Sequence, residues 1–316
     1  MWKNISEHMK ARASVKLTEC TVLLGALVFS ACSSSSDGNE PVIPTPPEVE
    51  QIPIRLSVST ETATRVTDTA FESGDKIGVY VVNCKGSESG ILQNSGNHAD
   101  NVSFTYNGLW NPATPIYWQD KVTPADFYIY YPYTAAVTDV LAHPFSIKAD
   151  QSTMDNYKAS EFLYGTSTHV DPTEEAVVIK AVHLLSCAVI KVVPGNGFTA
   201  ESLAASTVAV KLNGCKGDAS INLRNGSVVA TGNVSAITPL KEETQYRAIV
   251  VPQSVSADNF ITVTVNGRDF NLKKEFTFAS KKRYTFTVTL NKTSNGINVG
   301  ITDWADDGTD EGGTAE

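Results

Sequence analysis

The sequence predicts an all-β chain arranged as two tandem β-sandwiches, on three observations. Apolar residues recur at every second position in short runs, turn-forming pairs separate the runs, and no stretch sustains the 3.6-residue period of an amphipathic helix. The clearest run sets Ile54, Leu56 and Val58 against Arg55, Ser57 and Ser59, which places one face in a core and the other in solvent.

The chain opens on basic residues, then the apolar run Thr21 to Phe29, then Ser30, Ala31 and Cys32. The run falls short of the roughly 20 apolar residues that span a bilayer. It fits the hydrophobic stretch of a cleavable export signal over residues 1–31. A cysteine directly behind small residues is the acylation position of bacterial lipoprotein signals, so Cys32 is the expected lipidation site. Residues 32–51 read as a lipidated tether, since the stretch Ser33 to Pro53 is serine-rich and then proline-rich with almost no core-forming residues.

Beyond the tether, the alternating pattern predicts strands at Lys76–Asn83, Asp126–Tyr131, Ala176–Ala181 and Ser186–Val193. It continues at Thr207–Leu212, Gln245–Val251, Phe260–Val265, Lys273–Phe278, Arg283–Leu290 and Gly300–Trp304. Asn107-Gly108, Asn213-Gly214, Asn225-Gly226 and Asn266-Gly267 read as turns. Glu201 to Ser206 is long enough for one short helical turn. So many strands exceed one small sandwich, which suggests an N-terminal domain over 52–174 and a C-terminal one over 175–304. Residues 305–316 form an acidic, glycine-rich tail.

Composition narrows the function. Formal net charge is −9. Without residues 1–31, which carry four basic and two acidic side chains, 21 basic residues face 32 acidic ones. That balance repels nucleic acid. Cys84, Cys187 and Cys215 are odd in number and lack C-x-x-C spacing, so they indicate neither a disulfide framework nor a zinc site. His98, His143 and His169 fall in predicted loops without ligand spacing, and His183 beside apolar neighbours reads as a core histidine. The acidic tail fails the calcium-loop spacing. Neither a nucleophile elbow nor a phosphate-binding glycine loop occurs. No cofactor is implied and no enzyme is expected. The aromatic cluster Phe127, Tyr128, Tyr130, Tyr131 and Tyr133, with Trp110, Tyr117 and Trp118 upstream, is a candidate sugar platform, and alternation sets Tyr128 and Tyr130 on the face opposite Phe127, Ile129 and Tyr131.

Thr64 to Tyr80 (TRVTDTAFESGDKIGVY) resembles the opening of the fimbrillin family of Bacteroidetes surface proteins, in Arg65, Phe71, Gly74-Asp75 and the Ile77–Tyr80 strand. Similar phrases follow in order: Trp110, Tyr117-Trp118, Asp126–Tyr133, Asp150–Ser152, Glu161–Tyr164, His183–Ser186, Val251–Gln253, Arg283–Thr285 and Ile301–Trp304. Lys85 to Ala99 carries none of them. The resemblance implies transthyretin-like sandwiches in a pilus-subunit precursor, lipid-anchored at the outer membrane and later part of a fimbrium. It also implies proteolysis after an arginine, loss of the first strand, and strand exchange with other pilus subunits. Arg65 is the expected cleavage site, and Ile52–Thr60 the strand lost. A host or bacterial surface ligand is an expected further partner. The rival reading is a monomeric outer-membrane lipoprotein that binds glycan or another ligand.

Overall fold

The computed structural model describes residues 51–60, 71–291, 300–303 and 314–315. The first half contains β1 (Leu56–Thr60), β2 (Lys76–Asn83), β3 (Ala99–Tyr106), β4 (Trp110–Pro112), β5 (Ala125–Tyr131), β6 (His143–Ser146), α1 (Met154–Lys158), β7 (Leu163–Val170) and β8 (Val177–His183). Next come β9 (Ser186–Pro194), α2 (Ala200–Ala204), β10 (Val208–Asn222), β11 (Ser227–Ile237), β12 (Leu240–Glu242) and β13 (Gln245–Val250). The described strands close with β14 (Gln253–Val265), β15 (Arg268–Phe278), β16 (Lys282–Leu290), β17 (Gly300–Asp303) and β18 (Thr314–Ala315).

These strands form three sheets. The first has seven strands in the order β1-β8-β7-β5-β2-β3-β4. The second runs β11-β10-β14-β15 with β6 added on β10, and the third runs β12-β13-β9-β16-β17 with β18 also on β16. Most pairings are antiparallel, but β1–β8, β9–β16 and β16–β18 are parallel. The chain is therefore nearly all β, with sandwich-like sheets around apolar cores.

Alternation along β2 and β5 serves two cores. Ile77, Val79, Val81, Phe127 and Ile129 face a core enclosed by the first sheet. Tyr80, Val82, Tyr128 and Tyr130 face the opposite way into a larger core shared with both sheets of the second half. The first sheet is thus buried on both sides, and this fixes how the halves meet. Strand β8 starts just beyond the division expected at 174/175. It bonds to β1 and β7, and Val177, Ile179 and Ala181 lie in the first core.

Turn chemistry explains several connections. Val265 and Arg268 pair directly across Asn266 and Gly267, whose φ values of 48° and 83° make a two-residue turn with both central residues left-handed. Asn213-Gly214, expected as a turn, lies inside β10. The register there slips between Leu212 and Cys215, and Gly214 at φ 76° sits in the resulting bulge. Side-chain amides take over where ladders are interrupted. Gln253 accepts from Lys216 N at 2.8 Å and donates to Lys216 O at 2.9 Å, beside the bulge.

Both helices are single turns set by their caps. Thr153 accepts from Asn156 N to start α1, a helix absent from the sequence expectation. Thr199 and Ser202 cap each other reciprocally at the start of α2, within the expected region. Ahead of α1, the fully buried Gln151 accepts from Ile249 N at 2.8 Å and donates to Ile249 O at 2.9 Å and Lys148 O at 3.0 Å. Gln151→Leu strands those backbone groups in a dry core. Urea unfolding is expected to show a loss of about 2–3 kcal/mol, whereas Ser152→Ala nearby should cost less than about 1 kcal/mol.

His143, expected in a loop, instead lies buried on β6. Its ring centroid is 5.3 Å from that of Tyr130 and 6.0 Å from that of Phe162. Burial lowers its pKa from 6.5. Below about pH 6.5 the unfolded chain takes up a proton that the folded one resists, so this histidine's contribution to stability declines as pH falls. His143→Phe keeps an aromatic ring without the titration. Urea midpoints measured at pH 7 and pH 5 should fall less in that variant than in the parent.

Candidate functional site: the first strand and its seat

The residues from Gln51 to Thr60 bridge two parts of the first sheet. On one side β1 runs parallel to β8, with Leu56 to Thr60 in register with Val177 to Ala181. Val177 N also donates to Arg55 O at 2.9 Å. On the other side Ile54 N donates to Ile116 O at 2.8 Å, and Trp118 N donates to Ile52 O at 2.9 Å. The Trp110 indole N–H reaches Val58 O at 3.3 Å. The segment therefore closes the curled sheet between β8 and residues 110–118.

Its alternation explains the seat. Ile54, Leu56 and Val58 are buried in the first core with Val177, Ile179, Ile116, Trp110 and Trp118. Arg55, Ser57 and Ser59 are exposed. Each of the three apolar side chains contributes roughly 1.5–3 kcal/mol by burial. The five residues of β1 cover about 17 Å at roughly 3.3 Å per residue. Leu56→Ala is expected to cost about 3 kcal/mol by urea denaturation and Ser57→Ala less than about 0.5 kcal/mol, because only the first faces the core.

Aromatic side chains finish the seat. Phe71 meets Trp110 edge-on at 4.8 Å and Tyr131 at 6.0 Å. The Gly74-Asp75 turn braces them: Gly74 has φ 100°, and Asp75 accepts from Glu72 N at 2.7 Å and from the Tyr131 hydroxyl at 3.2 Å. Burial, then the Asp75 charge, pushes the Tyr131 phenol well above its usual range. The 110–118 clamp is what the sequence reading missed. Its aromatics stood out as a cluster, but nothing in a one-dimensional pattern pairs Ile52 with Trp118.

Cys32 and Arg65 lie outside the described residues, as does Trp304. The proposed sugar platform fails on burial. Tyr128 and Tyr130 are both buried, Tyr130 to 1% exposure. Desolvation pushes the Tyr130 hydroxyl up to about 12, and it donates to Asn101 Oδ1 at 2.8 Å. The first sheet has core on both faces, so neither side of β5 is left to hold a ligand. Other singled-out residues are also structural. Cys84, Cys187 and Cys215 are buried and take part in no disulfide. His183 is buried with its Nδ1 4.0 Å from Glu161 Oε1. Asp126 is fully buried and accepts from His169 N at 2.6 Å. Among the described residues no three His, Cys, Asp or Glu side chains gather as a metal set, and no helix is long and apolar enough to cross a membrane.

These features define a class: a nearly all-β protein with sandwich-like sheets, distinguished among the described residues by the seat of its first strand. Residues 64–304 match the fimbrillin-like family, and the chain belongs to that family. A Bacteroides uniformis protein named as fimbrium subunit Fim1C is 25% identical over 308 residues, covering 93% of this chain and 97% of that one. A Bacteroides ovatus protein named as fimbrium tip subunit Fim1C is 26% identical over 151 residues, which is 42% of this chain and 27% of that relative. Two crystal structures, both of proteins named as cell adhesion proteins, share the fold. The one from Bacteroides uniformis has a TM-score of 0.61 at 20% identity and covers 81% of this chain and 99% of its own. The one from Bacteroides ovatus has a TM-score of 0.62 at 19% identity and covers 79% and 95%.

Proposed function

We propose that this chain is a structural and adhesive subunit of a surface fimbrium, assembled by replacing its first strand with a strand from another subunit. The observation that carries the reading is the seat of residues 52–60. This one segment completes both a backbone ladder and an apolar core, and it directly precedes the stretch that holds Arg65. Family membership and the relatives' names support the fimbrial role. Cleavage after Arg65 would remove the segment and leave Val177 to Ala181 without a ladder partner. An incoming strand would regain those hydrogen bonds and fill three side-chain positions at every second residue.

In this reading the precursor is exported under the 1–31 signal and acylated at Cys32. It is held at the outer membrane by the 32–51 tether until cleavage. The two sandwiches are modules of transthyretin type. Because β8 shares the first core and β9 the second, the module change falls at Leu184–Leu185, later than composition suggests. A tip or accessory position is the finer reading, in keeping with the name of the Bacteroides ovatus relative, a fimbrium tip subunit.

Arg65→Ala is the test. Mass spectrometry of surface protein should find an amino terminus at Val66 in the parent and an intact, acylated Cys32 terminus in the variant. The parent should enter fibres and the variant should not. Normal fibres from Arg65→Ala would overturn the cleavage site. A parent that keeps residues 52–60 within fibres would overturn strand replacement itself.

A further inference from the structure

We propose that the loop joining β2 to β3 forms a binding site for a neutral, polyhydroxylated ligand of the size of one or two sugar rings. A cavity of about 480 Å³ opens there, lined among others by Val82, Asn83, Gln93, Ile91 and His98. That volume lies within the roughly 300–1,000 Å³ that small-molecule sites occupy.

The walls are fixed by contacts from distant parts of the chain. Leu92 is fully buried in the larger core, and its carbonyl accepts from the Arg224 guanidinium at 2.7 Å. Asn94 accepts from Val140 N at 2.8 Å. Asn97 Nδ2 donates to Gln93 O at 2.8 Å, and its Oδ1 accepts from Gln93 N at 3.0 Å. His98 Nδ1 lies 3.1 Å from Asn83 Nδ2, and Nε2 lies 2.6 Å from Tyr117 O. These partners define the neutral tautomer, in which Nδ1 accepts and Nε2–H donates. A cavity built this way pays little to become ordered when a ligand enters.

Its chemistry selects the class. The Asn83 amide nitrogen is held by His98 and Gln119, and Gln93 Nε2 donates to Ile91 O at 3.2 Å, so the two amides offer their oxygens as acceptors for sugar hydroxyls. Lys85 and Glu88 lie on the same wall with opposite charges, so neither anions nor cations are favoured. Ile91, 61% exposed, offers apolar contact for the C–H face of a ring. The backbone of Tyr117, whose ring is 38% exposed, adjoins the wall through His98. This segment, Lys85 to Ala99, is also the part that carries none of the family phrases. The site deepens the adhesive half of the proposed function but does not involve residues 52–60.

The experiment is a glycan array carrying neutral, sialylated and sulfated glycans, probed with the full chain bearing Arg65→Ala to keep it unprocessed. A retained glycan is then titrated calorimetrically. Retention of neutral glycans is expected, with affinity falling at least about tenfold in Ile91→Asp and in Gln93→Ala while the melting temperature holds. The exposed Val234→Ser on β11 should bind as the parent does. No retained glycan, retention of charged glycans alone, or neutral binding unchanged in both variants would overturn the proposal. None of these outcomes bears on strand replacement, which the fibre assay reads separately.

Discussion

Closure of the first sheet governs much of this molecule. A β-sheet that curls around an apolar core must satisfy two demands at its seam: every buried backbone group needs a partner, and every gap in the core needs a side chain. Residues 52–60 meet both at once. They ladder onto β8 on one edge and accept or donate bonds to the 110–118 segment on the other. The same strand sends Ile54, Leu56 and Val58 inward. A parallel partner at the seam is unusual beside the antiparallel pairings of the rest of that sheet. The partner strand, β8, is contributed more than a hundred residues later in the chain.

The second demand explains why the halves do not behave as beads on a string. Tyr80, Tyr128, Tyr130 and Tyr164 project from the back of the first sheet into the larger core. Strand β6, from the first half of the sequence, joins β10 in the second sheet. The hairpin turn at Asn225-Gly226 approaches the first sheet so closely that a Cβ on Gly226 would lie 2.8 Å from the Tyr164 ring. Removal of residues 52–60 would open the first core, while β2, β5, β7 and β8 would keep side chains packed in the larger one.

Much of this was legible in the sequence, and the legible parts share a cause. Alternation identified β2, β5, β9, β13 and β16 because their apolar residues are strongly hydrophobic and closely spaced. Asn266-Gly267 was readable because Asn-Gly readily takes the two left-handed conformations that close a tight hairpin. Asn213-Gly214 misled because the same preference for positive φ serves a bulge. Strand β11 escaped because its burial pattern is mostly exposed, with Ser, Thr, Asn and Gly among its valines. The Tyr128 and Tyr130 assignment failed for a different reason. Alternation says that two faces differ, but it does not say that one of them faces water.

The family phrases are also clearer in three dimensions. Gly74-Asp75 shapes the turn that braces Tyr131, Gln151 and Gln253 replace missing ladder bonds with side-chain amides, and Glu161 and His183 meet as a buried pair. Each repairs a place where a regular strand cannot satisfy its own backbone or bury its own charge. Such positions are costly to alter, so they give the chain its recognisable signature. They also lie away from the loop between β2 and β3, where no ladder constrains the side chains that point outward. A scaffold whose identity rests on repaired backbone is free to vary the chemistry of that loop. If the loop takes a ligand and the seam exchanges a strand, recognition and assembly occupy separate parts of the first sheet: one on a loop at the end of β2, the other along its seam.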